Sequence, residues 1–153
     1  MKSMIANIPF IDSLTSLIIF EIGGKEFAAD LKDISAIINP FDLNQSYNAS
    51  IDTLPFIKIN DLIINLINFQ KYLGTTEKPT ERMRIISFER GNKSFGLIVH
   101  KIKEILTVSD ELKTKFEFLP SEREPYLAGT LLYEGRSLLV PNFQYLAGKK
   151  TML

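Results

Sequence analysis

His100 is the single histidine of this chain and there is no cysteine. Nucleophilic, proton-shuttling and metal-binding chemistry near neutral pH therefore rests on one imidazole. A Ser/His/Asp triad would have to be built around His100 from partners that the spacing does not place. Its neighbours Ile98, Val99 and Ile102 supply the apolar positions of a strand, so His100 reads as a polar residue on the outward side. A His-rich metal site is ruled out, and no Asp-x-Asp-x-Asp-Gly spacing offers a calcium loop. Gly91-Asn92-Lys93-Ser94 and Gly23-Gly24-Lys25 look like the end of a phosphate-binding loop. Both lack the earlier glycine and the helix start that a phosphate site needs, and both sit between apolar runs, so they read as hairpin turns. Glu122 and Glu124 flank Arg123 in what reads as a solvated charge cluster. No catalytic constellation emerges and no cofactor is implied, which favours a binding module over an enzyme.

Composition supports that class. The chain has 153 residues, 45% of them hydrophobic, and zero formal net charge. That is enough for one ordinary domain or two very small ones. Residues 1–74 carry a net charge of −3 and residues 75–153 a net charge of +3. The asymmetry is too mild for a nucleic-acid footprint, but it lets the halves present opposite potentials to different partners. Pro9 and Asp12 interrupt the early apolar residues, and no apolar run approaches the length of a membrane span. A reducing cytoplasm suits the lack of cysteine.

The elements that must position any binding residues are written twice. Phe20-Glu21-Ile22-Gly23-Gly24-Lys25-Glu26-Phe27 returns as Phe88-Glu89-Arg90-Gly91-Asn92-Lys93-Ser94-Phe95, five identities in eight at a shift of 68. Asn68-Phe69-Gln70 returns as Asn142-Phe143-Gln144 at a shift of 74, each followed by a glycine, Gly74 or Gly148. Asn68 suits a helix N-cap and Gly74 a left-handed C′ position. Between these motifs, Asp30 to Ile38 reads as a kinked or bulged strand closed by Pro40, and 41–52 as a surface loop. Asn60-Asp61 and Glu134-Gly135 each separate apolar runs, as tight hairpins do. Phe116, Phe118 and Leu119, in the charged stretch from Ser109 to Pro125, are expected to pack back onto the core. The sequence predicts a mainly β chain of two tandem small β-barrels with short helical turns. Residues 1–14 form an extension, about 15–74 the first subdomain, about 82–148 the second, and 149–153 a tail. Each barrel alone would be marginal, so the two should share an interface.

Phe-Glu-x-Gly-x-Lys-x-Phe, then Phe95-Gly96-Leu97-Ile98-Val99 with Glu104-Ile105-Leu106, then Tyr126-Leu127-Ala128-Gly129 and the Glu134-Gly135-Arg136 turn, resemble the CheW family over roughly 17–148. That resemblance implies two SH3-like barrels in a non-enzymatic cytoplasmic adaptor, recruited to the inner face of the membrane. Its implied partners are the cytoplasmic tip of chemoreceptors and the regulatory domain of a CheA-type histidine kinase. Strand edges and the groove between the barrels would hold them. No nucleic acid and no membrane insertion are implied.

The family's usual Arg-Gly pair is replaced here by Asn60-Asp61, and its usual glutamate by Ala36, while the second half keeps Glu104 at the place equivalent to Ala36. Losing both members of an ion pair together avoids stranding a charge. The residues expected to contact partners are Ala36, Ile37, Asn60, Asp61 and Leu62, with Gly96 and His100 in the second half. A divergent adaptor of a non-standard chemosensory pathway is the alternative, and a small-ligand or nucleotide-binding protein the competing class.

Overall fold

The computed structural model describes residues 15–43, 51–118 and 124–151. Eleven strands and three helices are found among them, in the order β1 (Ser16–Ile22), β2 (Lys25–Asp30), β3 (Ala36–Ile38), β4 (Phe56–Ile59), β5 (Leu62–Ile67), α1 (Gln70–Leu73), β6 (Arg84–Arg90), β7 (Lys93–Val99), β8 (Lys101–Thr107), α2 (Asp110–Lys113), β9 (Phe116–Phe118), β10 (Leu127–Tyr133), β11 (Arg136–Pro141) and α3 (Phe143–Thr151). The repeated motif is a hairpin both times. Phe20 pairs with Phe27 across one, Phe88 with Phe95 across the other, and both ring pairs stack at 5.6 Å. Gly23 (φ 57°) and Gly24 (φ 80°) supply the left-handed turn that side-chain-bearing residues resist.

The strands form two sheets, and these do not coincide with the halves of the sequence. Sheet A runs β8-β1-β2-β11-β10-β9 and sheet B runs β3-β6-β7-β5-β4. Each half lends its opening hairpin to the other half's sheet, so neither about 15–74 nor about 82–148 is a barrel by itself. The physical reason lies in hairpins that are apolar on both faces. Leu17 and Ile19 point into the interior of sheet A with Leu131, Leu138 and Val140, while Ile18, Phe20 and Ile22 turn to a central cluster shared by both sheets. In sheet B, Ile85 and Ile98 face their own interior and Ile86, Phe88 and Leu97 the same centre. Burying one such side chain is worth about 1.5–3 kcal/mol, and only exchange covers both faces.

The shifts of 68 and 74 read in the sequence are also the shifts of the strand register. Ser87 faces Ala36, as Ile19 faces Glu104; Phe95 faces Asn65, as Phe27 faces Leu139. Other expectations need adjustment. The kink after β2 is a 3-10 turn, Leu31–Asp33, capped by Asp30, which accepts from the Lys32 amide at 3.0 Å. The 41–52 segment is not all surface, because Ile51 is fully buried. Phe116 and Phe118 form β9 on β10, and Leu119 lies outside the described residues. Asn142 accepts the Tyr145 amide at 3.0 Å and caps α3, whereas Asn68 accepts the Gln70 amide at 3.1 Å from one residue before Phe69, the N-cap of α1. Gly74 takes φ 71° as a C′ residue, but Gly148 lies inside α3, which continues through Thr151 into the expected tail. No helix among the described residues is long and apolar enough to cross a membrane.

Candidate functional site

Five of the seven expected contact residues lie on exposed parts of sheet B. Ala36 and Ile37 sit on β3, an edge strand whose outer backbone groups have no strand partner in the sheet. Such an edge can accept a further strand or loop. Asn60, Asp61 and Leu62 form the exposed β4–β5 turn, where Asn60 adopts φ 55°, a conformation Asn tolerates better than most residues. On these two edges of sheet B, Ile37 (41% exposed), Phe56, Leu62 (50%) and Ile63 leave large apolar side chains in solvent. Lys58 pairs with Ile63 and Phe56 with Asn65, so Phe56 and Ile63 share the outer face of the hairpin, while Leu62, opposite Ile59, starts β5 on the other. Phe56 and Ile63 were not singled out in the sequence, because unbroken apolar runs do not show which side a sheet leaves open.

The same positions on sheet A are charged. By register, Glu104 stands where Ala36 does and Arg136 where Leu62 does. Arg136 lies 3.9 Å from Glu104, 3.7 Å from Glu134 and 2.7 Å from Glu26, which also takes Lys103 at 2.7 Å. The Lys103 hydrogen bond, opposed by partial burial and aided by the Arg136 charge, holds the Glu26 carboxyl below its ordinary range. Glu104 therefore meets Arg136, whose counterpart is Leu62. The counterpart of Asn60 is Glu134, also in a left-handed conformation (φ 50°). On sheet B the positions equivalent to Glu104 and Arg136 hold the apolar Ala36 and Leu62.

Gly96 and His100 are placed differently. Gly96 is buried in β7, where a Cβ would lie 2.6 Å from Ile85 Cγ2 and 2.9 Å from Ile64 Cγ2, so its role is close packing inside sheet B. His100 is 6% exposed rather than on an outward face. Its Nδ1 accepts from the Gly23 amide at 3.1 Å and its Nε2 lies 3.0 Å from the Glu77 carbonyl. An acceptor at Nδ1 and a donor at Nε2 assign the neutral tautomer protonated at Nε2. The His100 amide donates to the Glu21 carbonyl at 2.8 Å. Buried Gln70 completes the node: its Oε1 accepts from Thr75 Oγ1 and the Glu77 amide, both at 2.8 Å, and its Nε2 donates to the Glu77 carbonyl at 2.9 Å. The ring thus ties the first hairpin turn to the segment joining the halves. With both nitrogens engaged by backbone groups, it has no free face for general-base work. No cluster of three metal-ligating side chains occurs among the described residues.

Comparison with known proteins follows the same lines. The family model described as a CheW-like domain matches residues 16–150. The chain is 26% identical over 124 residues to "Chemotaxis protein CheW" of Rhizobium meliloti (strain 1021), covering 80% of each protein. Its fold is similar to that of the scaffolding protein TtCheW from Thermoanaerobacter tengcongensis, with a TM-score of 0.69, 17% identity and 87% of each chain covered.

Proposed function

This chain belongs to the CheW-like family of non-enzymatic chemotaxis scaffold proteins, and from that premise we propose that it couples chemoreceptors to a CheA-type histidine kinase. The observation that carries the reading is the exposed surface of sheet B, where Phe56, Leu62 and Ile63 lie exposed on the β4–β5 hairpin at one edge and Ile37 on β3 at the other. Exposed apolar side chains together with an edge strand are what a modest, reversible protein interface uses. Sheet B would hold one partner through this face, and the space between the sheets would hold another. Individually weak contacts would gain strength from repetition across an array. The protein would act in the cytoplasm and reach the membrane through its receptors.

Co-sedimentation with receptor-containing membranes and the kinase tests this. Recruitment of the chain, and of the kinase through the chain, is expected; no recruitment in any combination would sink the proposal. The apolar exchange at Ala36 and Leu62 favours a second reading, an adaptor whose partner in a non-standard chemosensory pathway presents an apolar patch where relatives meet charge. Stronger recruitment by receptors of one particular array over those of a standard array would distinguish it.

A further inference from the structure

A groove of about 410 Å³ is lined by Arg82, Arg84, Lys101, Ile102 and Lys103. Arg84 opens β6 of sheet B, whereas Lys101, Ile102 and Lys103 open β8 of sheet A, so both sheets build its walls. Four of the five lining side chains are cations. Lys103 is partly neutralised, at 2.7 Å from Glu26 and 4.0 Å from Glu21. Arg84 is held by the carbonyls of Glu81 and Met83 at 3.0 and 2.7 Å, contacts that fix the guanidinium without cancelling its charge. Neither Arg82 nor Lys101 forms an ion pair with a described carboxylate; the nearby Glu77 faces His100 and Glu104 faces Arg136. The groove therefore holds surplus positive charge in a recess whose remaining side chain, Ile102, packs onto the central core.

We infer that this groove receives an acidic helical segment of a partner protein, with carboxylates one helical turn apart. The inference rests on the adaptor reading, in which a partner occupies the space between the sheets, and it names that partner's chemistry. The spacing supports a helix. Between Ile19 and Phe20 the pairing of β1 with β8 slips by one residue at Lys103, and such a bulge re-aims a side chain. Lys101 and Lys103 both line the groove, about 6–7 Å apart along the strand by its rise of about 3.3 Å per residue. Carboxylates at i and i+4 of a helix are separated by about the same distance. Ile102 between the lysines offers an apolar contact to the helix stem. A flat anionic membrane engages protruding cations better than recessed ones, so the recess favours a protein segment.

Fluorescence anisotropy on the full chain tests this, with a short alanine-rich helical peptide bearing glutamates at i, i+4 spacing and its glutamine counterpart as probes. The glutamate peptide is expected to bind about tenfold tighter, and salt should weaken it. Arg84→Glu with Lys101→Glu should abolish that preference, and Arg84→Gln with Lys101→Gln should weaken it about tenfold at unchanged thermal stability. Lys71→Glu with Lys149→Glu, a matched charge change elsewhere, should leave it intact. Equal binding of the two peptides, equal loss in the matched control, or capture by phosphatidylserine vesicles in place of the peptide overturns the inference. Recruitment to receptor membranes that ignores the Arg84 and Lys101 reversals also overturns it and leaves the adaptor reading standing. Selective peptide capture without any recruitment supports the groove and sinks the adaptor reading.

Discussion

His100 shows how one residue's chemistry is decided by its neighbours. As the only histidine, it invited a catalytic reading, yet the Gly23 amide and the Glu77 carbonyl occupy both ring nitrogens. Replacing it with phenylalanine keeps the bulk and leaves those two backbone groups without their partner, at a cost of about 1–3 kcal/mol. Urea denaturation should show that loss as a lower midpoint at unchanged slope, and an unchanged midpoint would mean that water takes the ring's place. Glu26 makes a second prediction with a definite sign. Its native pKa is lowered from 4.5 by Lys103 and Arg136, so its contribution is complete above the ordinary value and is lost as pH falls through the lowered native one. Both cations are about one-third exposed, which limits the effect to about 0.5–1 kcal/mol. Glu26→Gln should lower stability by that amount at pH 7 and by nothing near pH 2; an equal loss at both pH values would point to packing instead of charge.

The elements were more legible than their surroundings. Gly23-Gly24 and Glu134-Gly135 announce hairpins because their turns need left-handed residues, and the two Asn-Phe-Gln motifs announce helix starts, where Asn142 caps α3 and Asn68 accepts an amide one residue ahead of the α1 N-cap, Phe69. Gly148 misled because a helical glycine and a terminating glycine are the same letter, and only the residues that follow decide which one forms. The exposed surface of sheet B was half legible. Ala36, Asn60 and Asp61 were identified by their departure from the family pattern, whereas Phe56 and Ile63 lie in runs whose outward side only the sheet defines. Copying the sheet A pair onto sheet B, as Ala36→Glu with Leu62→Arg, should move binding from apolar-faced partners toward charged ones while stability changes by less than about 1 kcal/mol. Pull-down competition between two receptor types reads the switch. Unchanged preference would remove this face from the specificity of the protein.

At the scale of the whole molecule the sequence disclosed a duplication but not the exchange. Identity at shifts of 68 and 74 marks equivalent segments, and nothing in Leu17-Ile18-Ile19-Phe20 says which half will cover each face. The exchange has a thermodynamic consequence. Without β6 and β7, the first half would leave β3 without its strand partner among the described residues and β5 without its parallel neighbour, and Ile57, Ile64 and Leu66 would face water where Ile85 and Ile98 now stand. The second half would likewise lose β1 and β2 from the middle of sheet A. Two such units cannot melt independently, so unfolding should be a single transition with coincident midpoints by far-ultraviolet circular dichroism and by tyrosine fluorescence. The sharper test cuts the chain in the segment between Gly74 and Arg84. Each fragment alone should lack dispersed amide resonances, and mixing the two should restore them, because the hairpins can cross between fragments as they cross between halves. A first fragment that folds by itself would show that the hairpins exchange only after each half is already stable.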